Sequence, residues 1–160
     1  MTIDRADTRR LADLLDLHEG RLGVPLLDDA AIRALLATRP RIAIIGASPE
    51  PWRPSNGVLR DLVRLGFEVA PVNPTTTVVE GLTCYPTLAA AVEATGPFGI
   101  VDVFRRAEAC PAHAREAVAA AAGCLWLQLG IASREAGEIA AAGGLAVVMD
   151  RCLAIDAARP

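Results

Sequence analysis

The chain has 160 residues, a net charge of −3 at pH 7 and a hydrophobic fraction of 52%, so it can bury one sizeable core. The acidic balance argues against a general nucleic-acid surface, which needs many clustered cations. All 16 basic residues are arginine, which excludes lysine Schiff-base chemistry and the lysine-dependent phosphate loop. A charged amino terminus and the lack of a long apolar run predict a cytoplasmic protein without membrane spans.

Few residues suited to catalysis or metal binding are present. The four cysteines are scattered without a CxxC pair, and the only histidines are His18 and His113. This pattern predicts reduced thiols, and neither a disulfide framework nor a metal site. Both histidines fall in predicted helices, where we expect them on the helix surface. No Ser-His-Asp or Cys-His constellation can be assembled, so the sequence predicts no catalytic residues and favours a binding module over an enzyme.

In chain order, the first predicted elements are two helices. Leucines at helical spacing place them at residues 8–18 and 28–38. They form an amino-terminal helical extension, residues 1–40, which we expect to pack as a hairpin against a sheet edge or a second subunit.

From residue 41 to residue 160, short apolar runs alternate with amphipathic segments. Continuous apolar runs are typical of parallel strands that helices cover on both faces. The predicted fold is therefore α/β, a doubly wound, mostly parallel, Rossmann-like sheet. Four glycines are predicted to take the left-handed position that ends each helix: Gly66, Gly96, Gly123 and Gly143.

The carboxyl ends of the predicted strands form one candidate site, because ligands of doubly wound sheets bind beyond those ends. Polar and cationic residues gather there, and arginines suit a polyanion such as phosphate. In strand order the candidates are Gly46, Ala47 and Ser48; Asn73 and Pro74; Phe104 and Arg105; Gln128 and Gly130; and Arg151 and Cys152. Phe104 either stacks on an adenine or packs in the core, and Trp126 is predicted to be core.

The turn after the first strand lacks the glycine pattern of a dinucleotide fingerprint. Only Gly46 of GxGxxG is in place, and three prolines in the following loop remove backbone N–H donors. Side chains must supply the missing donors, and the candidates are Ser48, Arg53 and Ser55. Ser55 is also predicted to be the N-cap of the next helix.

The second strand ends in VAPVNP, without the carboxylate that binds the ribose in NAD-binding folds. Asn73 either hydrogen-bonds a ribose or base, or ends the strand in an Asn-Pro turn. Because no carboxylate is present there to repel a phosphate, we expect this site to tolerate an adenosine that carries an additional phosphate.

An ordered set of short segments extends from Arg41 to the end of the chain: IIGAS with RPSNGV, VAPVNP, GLTCYPTLAA, VDVFR, WLQLGI and VVMDRC. Together they resemble the small Rossmann-type CoA-binding proteins. These are related to the CoA-binding domain of succinyl-CoA synthetase α subunits and of ADP-forming acyl-CoA synthetases. The resemblance implies coenzyme A or acyl-CoA as the ligand. Its ADP part and pyrophosphate would be held by the first turn and by the ends of the second and fourth strands. In the synthetases the phosphorylated histidine lies in a following domain, for which this chain has no counterpart.

The favoured function is therefore CoA or acyl-CoA binding by a carrier, sensor or regulatory module. Two alternatives stay open: an NAD(P)-dependent oxidoreductase, and the CoA-binding subunit of a multi-chain acyl-CoA synthetase. The expected partners are a second copy of the chain or a protein that handles acyl-CoA. Because Arg151 would favour its thiolate, Cys152 is hypothesised to form a mixed disulfide with the CoA thiol.

Overall fold

The computed structural model describes residues 4–160, and it confirms the predicted α/β fold. The helices are α1 (Arg5–His18), α2 (Asp29–Ala37), α3 (Pro54–Arg64), α4 (Leu88–Thr95), α5 (Cys110–Ala119), α6 (Arg134–Ala142) and α7 (Leu153–Ala157), with a 3₁₀ turn at Ala107–Ala109. The strands are β1 (Ile42–Ile45), β2 (Val69–Val72), β3 (Val78–Val79), β4 (Leu82–Thr83), β5 (Ile100–Val103), β6 (Cys124–Leu127) and β7 (Ala146–Val148). Within residues 4–160, no helix is both long enough and apolar enough to cross a membrane.

Five strands form one parallel sheet in the order β2-β1-β5-β6-β7. Every residue of β1, β5 and β6 is buried, as continuous apolar runs predict. The chain moves from β1 outward to β2 and then crosses back to β5, so the strand order reverses between β1 and β5. This switch point is where a doubly wound sheet opens a crevice for a ligand.

Two hydrophobic cores cover the two faces of the sheet. Apolar residues of α4, α5 and α6 form the core on one face, and those of α2, α3 and α7 form the core on the other. Trp126 belongs to the second core and is fully buried, as predicted. Its indole N–H donates to the Arg151 carbonyl oxygen at 2.8 Å, which satisfies the one polar atom of that side chain.

Both helices of the amino-terminal extension form, but they do not pair as a hairpin. Leu14 and Leu17 of α1 pack on the α4–α6 face, whereas Ile32 of α2 is buried on the opposite face. The connection between them runs along the β7 edge, where the Leu27 N–H donates to the Val147 carbonyl oxygen at 3.0 Å. The extension therefore wraps one edge of the sheet because each helix buries its apolar residues on a different face.

Two of the four predicted helix-ending glycines hold a left-handed backbone. Gly66 and Gly96 have φ values of 85° and 96°, but the predictions for Gly123 and Gly143 were wrong. Ala121 and Gly144 take the left-handed conformation after α5 and α6 instead. Gly123 serves close packing, since a Cβ there would lie 2.9 Å from the Gly99 backbone oxygen.

A short antiparallel pair, β3 and β4, was not predicted from the sequence. Its turn includes Glu80, whose Oε1 accepts a hydrogen bond from Nδ2 of Asn56 at 2.9 Å. That contact fastens the pair to the beginning of α3. Asn56 is fully buried, and its Nδ2 also donates to the Ser48 carbonyl oxygen at 2.9 Å.

Candidate functional site

A cavity of about 560 Å³ opens at the switch point between β1 and β5. We call it the switch-point cavity. Its walls come from the loop after β1, the start of α3, the loop after β2 and the loop after β5. The lining residues are Gly46, Ser48, Pro49, Glu50, Arg53, Pro54, Ser55, Asn73, Thr75, Thr76, Phe104 and Arg105. Seven of the residues predicted from the sequence therefore meet here: Gly46, Ser48, Arg53, Ser55, Asn73, Phe104 and Arg105.

Two serine hydroxyls line this cavity, and neither donates a hydrogen bond to any residue from 4 to 160. The Ser48 N–H donates to Ser55 Oγ at 3.1 Å, and the Glu50 N–H donates to Ser48 Oγ at 3.1 Å. Each hydroxyl oxygen thus accepts one bond from the backbone and keeps its own O–H as a donor. Together they supply the side-chain donors that the proline-rich loop requires.

The prediction that Ser55 caps α3 was wrong. Arg53 holds the N-cap position, with an extended backbone at φ −74° and ψ 140°, and Pro54 follows as the first helical residue. Proline favours that first position because its fixed φ suits the helix and it lacks an N–H that would go unpaired. Ser55 is consequently shifted into the first turn, where its side chain is buried against the loop.

At Gly46 the loop after β1 comes close to the loop after β5, and both loops border the cavity. The φ of Gly46 is 84°, and a Cβ there would lie 2.9 Å from the Phe104 carbonyl oxygen and 3.1 Å from Cδ of Arg105. The chain therefore needs glycine at this point both for the backbone conformation and for space. Phe104 is half-buried, packs against the core on the α3 face and also borders the cavity.

The two arginines of the cavity differ in their partners. Arg53 lies 3.4 Å from Glu50, measured from Nε to Oε2. Arg105 is exposed and makes no ion pair or side-chain hydrogen bond with any residue from 4 to 160. Its guanidinium is thus available to an anionic ligand. The sequence reasoning missed Glu50, a carboxylate in the same cavity, although its position in the proline-rich loop was visible.

Asn73 holds two loops together at the edge of the cavity. Its Nδ2 donates to the Ala47 carbonyl oxygen at 2.6 Å, and its Oδ1 accepts from the N–H and the hydroxyl of Thr75 at 2.9 and 2.7 Å. These bonds match the Asn-Pro turn that was one of the two expectations for this residue. Thr75 and Thr76 also line the cavity, which the sequence analysis did not anticipate.

A second, smaller cavity of about 270 Å³ adjoins the first on the α4 and α5 face of the sheet. We call it the α4–α5 slot. Gly46 and Arg105 border both cavities. The slot is lined by Ile45, Gly46, Val72, Pro74, Pro86, Thr87, Leu88, Arg105, His113 and Glu116. Pro74 is the only residue of the sequence-predicted set that lines the slot without lining the switch-point cavity.

His113 was expected on the helix surface, but its side chain is only 19% exposed and lines this slot. Its Nδ1 lies 3.0 Å from Oε2 of Glu116, one turn along α5. The (i, i+3) spacing was visible in the sequence. What could not be read there is that α5 places this pair beside Gly46, in the loop after β1.

The remaining predicted site residues line neither of these two cavities. Ala47 is fully buried in the core on the α3 face. Gln128 is buried, and the Gly130 N–H donates to Oδ1 of Asp150 at 2.6 Å. Arg151 and Cys152 line a separate cavity of about 340 Å³ next to α7.

The guanidinium of Arg151 is paired with two carboxylates and is therefore not available to bind a polyanion. Its Nε and Nη2 donate to Asp156 at 2.9 and 2.7 Å, and its Nη1 donates to Asp29 at 2.6 Å. These bonds raise the pKa of Arg151 and lower that of Asp29. The network joins α2 to α7. Cys152 follows directly in sequence, and its disulfide with a CoA thiol stays a prediction.

A buried carboxyl lies in β5, the central strand of the sheet. Asp102 is fully buried between Ile44 and Trp126 of the neighbouring strands. With its Nε2 turned toward this carboxyl, the Gln128 amide donates to both oxygens, at 3.2 and 3.3 Å. Burial raises the pKa of Asp102 well above its usual value, because loss of water disfavours the charged form.

Comparison with known proteins identifies the family of this chain. The family described as "CoA binding domain" matches residues 40–158. The chain is 36% identical over 126 residues to the uncharacterized protein YneT of Bacillus subtilis (strain 168), covering 79% of this chain and 91% of YneT.

Two solved structures extend the comparison. A hypothetical protein from Pyrococcus horikoshii OT3 is 33% identical with a TM-score of 0.76, over 81% of this chain and 89% of that one. The dinucleotide forming acetyl-coenzyme A synthetase 1 of Ca. Korarchaeum cryptofilum is 20% identical with a TM-score of 0.58, over 69% of this chain and 26% of that one, and shares the fold. The match over residues 40–158 establishes that the chain belongs to the CoA-binding-domain family.

Proposed function

We propose that this protein binds coenzyme A or acyl-CoA in the switch-point cavity and acts as a carrier, sensor or regulatory module. One observation carries the proposal. Two serine hydroxyls and the guanidinium of Arg105, none of which donates to a residue of the described part of the chain, line a single cavity at the point where the strand order reverses. Family membership supports CoA as the ligand.

The residues of the cavity fit the diphosphate of CoA. Ser48 and Ser55 can each donate a hydroxyl hydrogen to a phosphate oxygen, and the beginning of α3 adds its positive dipole end. Gly46 lets the loop after β1 approach Phe104 and Arg105 of the loop after β5, so that both loops border one cavity. The volume of about 560 Å³ lies within the usual range for small-molecule sites, which is about 300 to 1,000 Å³.

The charges near the cavity favour a phosphorylated ribose. Arg105 has a planar guanidinium suited to bidentate contact with a phosphate. The second strand ends in neutral Asn73, whereas the carboxylate of the cavity, Glu50, is paired with Arg53. We therefore assign the 3′-phosphate of CoA to Arg105.

The test is isothermal titration with CoA, 3′-dephospho-CoA, NAD and NADP. Arg105→Ala is the variant, and Arg106→Ala is the matched control, because Arg106 is the exposed neighbour that does not line the cavity. We expect wild type to bind CoA. Loss of the 3′-phosphate and loss of the guanidinium should each weaken binding about tenfold or more, the usual effect of losing one charged hydrogen bond.

The loss of affinity caused by removing the 3′-phosphate and the loss caused by Arg105→Ala should not be additive. Arg105→Ala should bind CoA and 3′-dephospho-CoA equally, since the two changes remove the same interaction. Binding of NAD or NADP without CoA would replace the proposal with the oxidoreductase alternative. Absence of binding to all four ligands, together with capture of an acyl-CoA synthetase partner chain, would favour the multi-chain subunit.

A further inference from the structure

The α4–α5 slot differs from the switch-point cavity in the chemistry of its walls. Half of its lining residues are aliphatic or proline: Ile45 of β1, Val72 of β2, Pro74 after β2, Pro86 before α4, and Leu88, the first residue of α4. Its polar residues are Arg105, which it shares with the larger cavity, Thr87, and the pair His113 and Glu116 from α5. The hydroxyl oxygen of Thr87 accepts the Ala90 N–H at 3.1 Å as the N-cap of α4.

This slot suits a flat, apolar group with one polar edge. In CoA a single ribose separates the diphosphate from the adenine, and Gly46 and Arg105 border both cavities. A base attached to a diphosphate in the switch-point cavity therefore meets the slot directly. The rings of Pro74 and Pro86 and the side chain of Leu88 offer apolar contact to its faces, whereas α5 offers hydrogen-bonding groups to its edge.

The pair His113 and Glu116 determines which hydrogen bond that edge can make. An ionised carboxylate only accepts hydrogen bonds, so the 3.0 Å contact requires a proton on Nδ1 of His113. In the neutral ring Nε2 is then an acceptor. No residue from 4 to 160 makes a hydrogen bond to this Nε2, which leaves it for a ligand.

We propose that His113 accepts a hydrogen bond from the exocyclic amine of the adenine, and that Glu116 enforces this by holding the proton on Nδ1. His113 is thus a specificity-determining residue and Glu116 a positioning residue. Hypoxanthine carries an oxygen acceptor where adenine carries its amine, so it would place an acceptor against Nε2. The site therefore selects adenine over hypoxanthine. This inference depends on the proposed function.

The test compares CoA with deamino-CoA, in which hypoxanthine replaces adenine, by isothermal titration. We expect wild type to bind CoA about tenfold more tightly than deamino-CoA. In the deamino-CoA complex the hypoxanthine oxygen and Nε2 of His113 are two acceptors without a donor between them, which costs about as much free energy as a lost hydrogen bond. This ratio needs no variant and therefore does not depend on the stability of one.

Two variants test the named residues. His113→Asn keeps a polar side chain that has both a donor and an acceptor, so the CoA preference should fall to within about twofold. Glu116→Gln can donate to Nδ1 and so permits the tautomer with hydrogen on Nε2, which should also lower the preference. Arg115→Gln is the control, since Arg115 is exposed on the same helix and, among residues 4–160, forms one ion pair, with Glu135 at 3.7 Å. Its preference should equal that of wild type.

These measurements distinguish failure of this inference from failure of the proposed function. Equal affinities of wild type for CoA and deamino-CoA overturn the inference and leave the proposed function intact. A preference that persists in His113→Asn overturns the role of His113. Absence of CoA binding by wild type overturns the proposed function and this inference together.

Discussion

Gly46 and Gly130 have nearly the same positive φ, 84° and 82°, but very different surroundings. A Cβ at Gly46 would lie 2.9 Å from the Phe104 carbonyl oxygen, which is backbone and cannot rotate away. A Cβ at Gly130 would meet nothing within 4 Å. Replacing each glycine by alanine therefore separates the cost of the backbone conformation from the cost of the contact.

Both substitutions incur the left-handed strain, about 1–2 kcal/mol, partly offset by lower entropy of the unfolded chain, about 0.4–1 kcal/mol. Gly46→Ala adds overpacking against the backbone of Phe104, about 1–3 kcal/mol. We expect the free energy of unfolding of Gly46→Ala to lie below that of Gly130→Ala by this last amount. For a chain of this length that difference corresponds to a Tm lower by roughly 2–12 °C.

Urea denaturation of the two variants and wild type measures these differences, and CoA titration at a temperature where all three are folded measures the effect on the site. Gly46→Ala should also weaken CoA binding, because relief of the contact must move the loop after β1 or the loop after β5. Equal unfolding free energies for the two variants would refute the reasoning, since the close approach at Gly46 would then cost nothing.

Two further predictions concern the buried acidic residues Asp102 and Asp156. Because the pKa of Asp102 is raised on folding, the folded state holds a proton that the unfolded state releases. Wild-type stability should fall as pH rises from the ordinary aspartate pKa toward the raised one, by up to about 1.4 kcal/mol per pH unit. Asp102→Asn should lack that pH-dependent component of stability. Urea denaturation that gives the same pH dependence for wild type and for Asp102→Asn would contradict this prediction. Arg151→Met should lower the free energy of unfolding by about 2–3 kcal/mol, because it leaves the buried Asp156 carboxylate without this partner. Its CoA affinity should stay within about twofold of wild type, and a larger loss on titration would place Arg151 in the CoA site.

The strands could be predicted because their signal is local. Continuous apolar runs such as those of β1 and β6 identify strands buried on both faces, and they lie where the sequence placed them. Helix ends were less certain, because several candidate residues stand side by side. Pro54 begins α3 one residue before Ser55, and Gly144 rather than Gly143 takes the left-handed conformation.

The candidate site was predicted in part for the same reason. The turn after β1 is one continuous segment, so its glycine and serines could be identified together. Strand order is a long-range property that an apolar pattern does not encode. It puts the ends of β6 and β7 away from the switch point, so that Gln128 and Arg151 lie elsewhere. It also brings His113 of α5 beside Gly46 in the loop after β1, which no local pattern indicated.

The most direct measurement is a crystal structure of the protein with CoA. We expect the diphosphate within hydrogen-bond distance of the Ser48 and Ser55 hydroxyls, the 3′-phosphate on Arg105 and the adenine in the α4–α5 slot against His113. A diphosphate bound anywhere else, such as in the cavity beside Arg151 and Cys152, would contradict the assignment of the switch-point cavity as the CoA site.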